Sequence, residues 1–262
     1  MSEGGTVGKA LAVLDQVAGF GRPVRFGDLQ AQSDLPKATL YRLVQTLVQQ
    51  SMLAYDPDSQ TYSLGVRLVR LAHAAWQQSS LAPIARPSLD DLSARIGETV
   101  HLAQLDNAQV LYVDKRNAAQ PVQMFSGAGK VGPAYCTGVG KAMLAFLDPV
   151  QLEAALAQQS YHRFTDTTLT SADALRGELA TIRAEGHAFD REEHEPGIIC
   201  IAVPILAESG RMLGAMSVTG PTTRMTLDDL TKLAPQLKDT AAFIAREAQT
   251  WRFPETQKRT GS

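Results

Sequence analysis

Cysteine is nearly missing: the chain has two, Cys136 and Cys200. Two thiols make no disulfide framework, and the sequence has no C-x-x-C or H-E-x-x-H spacing to suggest a zinc site. No run approaches the roughly 18 apolar residues that a membrane helix needs. The opening Met1-Ser2-Glu3-Gly4-Gly5 has neither the basic region nor the apolar core of a secretory signal. A cytoplasmic protein with no membrane partner is therefore expected. Charge of one sign is lacking too, because the net charge is -2. That argues against a generic polyanion binder. No G-x-S-x-G occurs, no acid/base pair declares itself, and there is no internal repeat. What is present is ordinary for a soluble globular chain: 44% hydrophobic and 20% charged residues over 262 positions, enough for about two domains.

The most informative stretch is residues 26–47. It reads as a short helix, a polar turn (Ser33-Asp34-Leu35) and a second helix. Leu40, Leu43, Val44, Leu47 and Val48 fall on one face of a 3.6-residue period. Thr39, Tyr41, Arg42, Gln45 and Thr46 occupy the other. Pro36 suits the first helical position, where a missing N–H costs nothing. Two readings fit: a DNA recognition helix that presents its first turns to a major groove, or an ordinary αα-hairpin with a solvated face. The next residues favour the first. Ser51–Tyr55 and Thr61-Tyr62-Ser63-Leu64 are β-like, with the turn sequence Asp56-Pro57-Asp58-Ser59-Gln60 between them. Helix, turn, helix, hairpin is the order of a winged helix-turn-helix, whose wing lies along the phosphates or in the minor groove.

Charge qualifies this. Residues 1–80 carry seven Lys/Arg and six Asp/Glu, leaving the remainder at -3. One copy of so weakly basic a domain offers few phosphate contacts. A two-fold dimer reading a palindromic operator, or a dimer of dimers, would multiply them.

In chain order, Thr6 is expected to cap a helix to about Ala18, with Val7, Leu11, Val13, Leu14 and Val17 buried. A linker helix runs from Gly65 to about Gln78, with widely spread apolar positions (Val66, Val69, Leu71, Ala74, Ala75) that suit packing against a partner subunit. Residues 79–83 form the boundary, and a helix over 84–96 leads into a mixed second domain. Strands are predicted at 99–105 and 110–115 around the hairpin turn Asp106-Asn107-Ala108-Gln109, and at 122–125, 200–206 and 213–219. Helices are predicted at 138–147, 150–158, 171–185 (stopped by Gly186) and 227–246. The tail from Arg252 is read as frayed. The expected parts are residues 1–64, a linker at 65–82, a second domain at 83–253 and a flexible tail at 254–262.

Four candidate sites have ordinary explanations beside the functional ones. Gly127-Ala128-Gly129-Lys130-Val131-Gly132 matches G-x-G-x-x-G, but Pro133-Ala134-Tyr135-Cys136 follows where a helix should open, so a loop beside a ligand is the better reading. Gly138-Val139-Gly140-Lys141 starts a helix whose first N–H groups can hold an anion; helix-start glycines alone explain it as well. It is no P-loop, because Tyr135 and Ala142 stand where Gly and Ser/Thr are required. Asp190-Arg191-Glu192-Glu193-His194-Glu195 holds possible metal ligands in no recognised spacing, and a charged loop is the usual explanation. Cys200 lies in an apolar run and reads as buried and inert rather than nucleophilic.

Taken together, these residues resemble the IclR family of bacterial transcriptional regulators. The motifs are Leu35-Pro36-Lys37-Ala38-Thr39-Leu40-Tyr41-Arg42-Leu43, Tyr62-Ser63-Leu64-Gly65, Cys136-Thr137-Gly138-Val139-Gly140-Lys141-Ala142, Phe189 through Ile205, and Ser217-Val218-Thr219-Gly220-Pro221. Glu98-Thr99-Val100-His101-Leu102 and the Cys200–Ile205 run add a weaker similarity to the KdgR-type regulators of sugar-acid catabolism. The resemblance implies an α+β chain: an N-terminal winged helix-turn-helix, a linker helix and a C-terminal GAF-like effector domain. It implies DNA contacts from Lys37, Ala38, Thr39, Tyr41, Arg42 and Gln45. It also implies a small carboxylate effector held at the backbone of Gly138 and Val139, with Asp190, Cys200, Ser217 and Thr219 around it and Met124 as an apolar wall. Gly132 stands where relatives carry a bulkier side chain, which would enlarge the pocket. No cofactor and no metal are implied, and an aromatic acid is an alternative effector. Two rivals come from other classes. One is an enzyme using Cys200, against which no base is placed by motif; the other is an interaction module without DNA, which the weak basic charge favours slightly.

Overall fold

The computed structural model describes residues 5–249. The frayed tail expected from Arg252 lies outside them. The chain divides into two compact units, Met1–Gln78 and Ser79–Ser262.

The first unit holds α1 (Thr6–Gly19), β1 (Val24–Arg25), α2 (Phe26–Ala31), α3 (Lys37–Gln49), β2 (Leu53–Asp56), β3 (Thr61–Leu64) and α4 (Val66–Ser79). Its core follows the period-3.6 stripe of α3: Leu40, Leu43, Val44 and Leu47 are buried with Val13, Leu14 and Val17 of α1, Leu29 of α2, and Val24, Leu53 and Tyr62 of a three-stranded sheet ordered β1-β3-β2. Three details differ from expectation. Gly5, not Thr6, precedes the first turn of α1, and no side chain caps it. Pro36 stands just before α3, where its carbonyl accepts from the Thr39 and Leu40 N–H groups. Val7 and Leu11 are 73% and 53% exposed rather than buried. The α1 residues that reach the core are Val13, Leu14 and Val17, with Ala10 packed against them, so Val7 and Leu11 fall outside the stripe that the unit itself covers.

The second unit begins with α5 (Ala82–Ile96), two residues ahead of the predicted start because Pro83 fits the first turn. A six-stranded sheet follows: β4 (Thr99–Asp106), β5 (Gln109–Arg116), β6 (Val131–Pro133), β7 (Ala188–Arg191), β8 (Ile198–Leu206) and β9 (Met212–Pro221). Its order is β6-β5-β4-β9-β8-β7, antiparallel throughout. Asn107 and Ala108 both take positive φ in the β4–β5 turn, as a two-residue hairpin requires. The remaining helices are α6 (Gly138–Leu144), α7 (Pro149–Leu156), α8 (Ala172–Glu185) and α9 (Leu227–Glu247). Ser171 caps α8, and Gly186 ends it at φ 71°.

Four predictions in this unit are corrected. Residues 122–125 form no strand: the Phe125 N–H goes to a Glu195 carboxylate oxygen 2.9 Å away instead of to a ladder. Part of the glycine-rich loop becomes the edge strand instead, with Val131 and Gly132 paired to Leu111 and Val110. The "charged loop" at 190–195 opens with β7, whose alternation is masked by its polar residues. The helix after Gly138 closes at Leu144, where N–H groups of Phe146 and Leu147 turn to carbonyls three residues back.

Strand alternation sorts the sheet into two faces. Val100, Leu102, Ile201 and Val218 are fully buried on one; α5 and α9 pack on the sheet as one layer, and α6 packs on the other face with α8 against it. His101, Cys200, Ser217 and Thr219 point to the α6 side.

Candidate functional site

Two places carry the predicted residues. On α3, Lys37, Ala38, Tyr41 and Arg42 are exposed, and Thr39 and Gln45 are half-buried. Burial of the opposite stripe leaves this face outward, with Arg42 near its centre. The Tyr41 ring meets Phe26 edge-on at 5.6 Å, tying α3 to α2. The Gln45 side chain lies near the Tyr62 hydroxyl and offsets part of the rise in its pKa that burial causes. The wing tip carries Asp56 and Asp58 and no cation. The Ser59 hydroxyl and the Asp58 N–H hold Asp56 ionised, below its ordinary range. The tip therefore brings negative charge where contact with phosphate was expected.

In the second unit, Met124, Gly138, Val139, Asp190, Cys200, Ser217 and Thr219 all line one cavity of about 30 Å³. Strand register gathers most of them. Cys200 of β8 stands between Asp190 of β7 and Thr219 of β9, while Ser217 stands between Ala202 and His101. Gly138 brings α6 onto this floor: a Cβ there would collide with the Cys200 sulfur. Gly132 is corrected. It packs behind Tyr112 and Phe125 in β6 and is not part of the cavity wall.

Electrostatics set the chemistry. Burial, followed by the nearby Glu193 charge, pushes the Asp190 carboxyl up to about 7. Burial and the Asp190 charge push the Cys200 thiol up to about 12, which makes it a packing group and no nucleophile. Burial, with Lys115 nearby, lowers His101 to about 3, so its ring is uncharged. Lys141, fully buried one turn into α6, pairs with Glu193 and lies 3.4 Å from Glu178. The Glu192 carboxylate accepts from the Gly197 N–H. These pairings, not metal ligation, occupy the acidic cluster; among the described residues no group of three or more His, Cys, Asp or Glu is placed to hold a metal.

The two walls of the cavity are held unequally. Hydroxyls of Thr165, Thr167 and Thr168 donate to the Glu192 and Glu193 carbonyls and fix the turn after β7. Across from it, residues 121–126 hang on few bonds: Phe125 N–H to Glu195, the Lys115 ammonium to the Ser126 carbonyl at 2.9 Å, and the Ser126 hydroxyl to His101 at 2.7 Å. Among the lining residues that sequence reasoning missed are His101, Tyr112, Ser126 and Glu195. His101 and Glu195 sat inside stretches already singled out, but nothing local says which face of the sheet they take.

A winged helix-turn-helix in the same chain as a unit with a polar cavity defines a ligand-binding DNA regulator. The helix-turn-helix domain of IclR matches residues 6–57, and the C-terminal domain of the bacterial transcriptional regulator IclR matches residues 73–246. The chain belongs to the IclR family of transcriptional regulators, which are not enzymes. It is 31% identical over 241 residues to the regulator XynR of Escherichia coli, covering 92% of this chain and 96% of that one. It is 31% identical over 246 residues to the E. coli regulator KdgR, covering 94% and 93%. The crystal structure of the Thermotoga maritima IclR superposes with a TM-score of 0.76 at 28% identity, over 93% of this chain and 98% of that one. No helix among the described residues is long and apolar enough to cross a membrane.

Proposed function

We propose that this regulator represses a catabolic operon and responds to a small organic acid, such as a 2-keto-3-deoxy sugar acid, bound in the cavity between α6 and the sheet. The observation that carries the reading is the convergence of Asp190, Ser217 and Thr219, all buried, on the backbone of Gly138. The effector carboxylate meets the N–H groups of Gly138 and Val139, and the polar floor takes its keto or hydroxyl end, with Met124 as the apolar wall. A cavity of about 30 Å³ has room for roughly one water. A sugar acid therefore enters by displacing residues 121–126, the weakly held wall. Repression is supported by a Salmonella typhimurium relative, 32% identical over 227 residues, which is an acetate operon repressor. Thermal-shift screening of sugar acids and keto acids, followed by calorimetry, tests the site. Asp190→Ala and Ser217→Ala should each weaken binding, and wild-type affinity in both would overturn the assignment.

In this reading residues 1–64 read DNA, 65–82 link, and 83–253 sense the effector, in a two-fold dimer on a palindromic operator. The support lies in the first unit. Val7 and Leu11 on α1, with Val66, Val69 and Leu71 on α4, are each more than half exposed. An apolar set of that size suits a second copy. Leu11→Glu with Val69→Glu should shift the protein toward monomer in sedimentation; an unchanged assembly would contradict the interface.

A further inference from the structure

His101 lies opposite Ser217 in the β4–β9 ladder and is 2% exposed. Its Nε2 is 2.7 Å from the Ser126 hydroxyl on the displaceable wall. Its Nδ1 is 3.4 Å from the Ser217 hydroxyl and 3.3 Å from that of Thr219, on the floor. Floor bonds of that length are weak, so a ligand oxygen competes for those hydroxyls at small cost. The Tyr112 ring covers the imidazole edge-on at 5.5 Å. We infer that His101 is the specificity-determining residue of this cavity: by relaying between Ser126 and the Ser217–Thr219 pair, it admits acids that carry either a keto oxygen or a hydroxyl beside the carboxylate, and it turns away acids with no oxygen, or a second carboxylate, at that place. The inference rests on the carboxylate effector proposed above.

The chemistry follows from the groups present. A neutral imidazole has one donor and one acceptor nitrogen, and a hydroxyl rotates to serve as either. For a keto oxygen the chain runs one way. Ser126 donates to Nε2, Nδ1–H donates to a floor hydroxyl, and the floor O–H donates to the ligand. For a ligand hydroxyl it runs the other way, ending with Nε2–H donating to Ser126. Either direction leaves both ring nitrogens and the bridging floor hydroxyl paired. An acid without this oxygen leaves the floor hydroxyls facing an apolar group. A second carboxylate finds no lysine or arginine in the cavity wall, and it faces Asp190 and Glu195.

Calorimetry on the full chain with pyruvate, lactate, propionate and malonate tests this, with 2-keto-3-deoxygluconate as a reference ligand. Pyruvate and lactate should bind within about threefold of one another, and propionate and malonate at least about tenfold more weakly. In His101→Leu the lactate-to-propionate ratio should fall to about one, whereas His101→Gln, whose amide both donates and accepts, should keep it. A purely structural lesion would weaken all acids alike and leave the ratio intact. Equal binding of lactate and propionate by the wild type, or an unchanged ratio in His101→Leu, would overturn the inference. So would binding of 2-keto-3-deoxygluconate with none of the three-carbon acids. If no acid binds at all, the carboxylate reading itself fails.

Discussion

The face of α3 and the cavity beneath α6 gather their residues in different ways. Lys37, Ala38, Thr39, Tyr41, Arg42 and Gln45 come from nine consecutive positions of one helix, and none is buried. The cavity draws on β4, β5, residues 121–126, α6, β7, β8 and β9, and most of its polar groups are buried. A helix face is dictated by a period of 3.6 residues, so its side chains can change with little effect on folding. A cavity floor is dictated by register among four strands, and its side chains also hold the fold. Variants on α3 should therefore change operator binding with little change in stability, and variants around the cavity should change effector binding and the stability of the second unit together.

The largest expected effect is at Lys141. Replacing it by Met leaves Glu193 buried and without its cation, and one Glu193 oxygen, Oε2, already has no hydrogen-bond partner among the described residues. Lys141→Met should destabilise the second unit by about 3–5 kcal/mol in urea denaturation. A loss under about 1 kcal/mol would mean that the pair does not hold the turn after β7. Arg42→Ala should instead leave melting unchanged while costing about 1–3 kcal/mol of operator binding and relaxing base preference. If its operator binding is untouched, the outward face of α3 is not the reading face. The smallest effect, read per pH unit, is a slope in stability. The folded-state pKa of Asp190 lies above its unfolded value, so folding retains a proton that unfolding releases. Stability should fall as pH rises between about 4 and about 7, by up to about 1.4 kcal/mol per pH unit, and level off above that. Asp190→Asn should flatten that slope relative to the wild type.

The same contrast explains what could be read before the structure. The stripe Leu40, Leu43, Val44, Leu47 announced α3 and its core directly, and Ser171 with Gly186 bracketed α8. Val7 and Leu11 misled because apolar periodicity does not say whether the covering surface belongs to the same chain. Residues 122–125 misled because β-forming side chains do not reveal that the backbone N–H is claimed by Glu195, seventy positions away. β7 was hidden because its inward residue is the carboxylate Asp190. Seven cavity residues were reached through family resemblance, and the periodicity of strands alone would not have joined them. His101 escaped both routes: its importance depends on facing Ser217 across a ladder and Ser126 across a loop.

Linkage between the two sites is the central claim, and a ligand shifts DNA affinity only if it binds one conformation better. The direct measurement is operator binding by the wild type and by Asp190→Ala, with and without 2-keto-3-deoxygluconate. The account predicts that both bind the operator alike without the acid, and that only the wild type weakens when the acid is added. An Asp190→Ala protein that releases the operator at the same acid concentration as the wild type would contradict it.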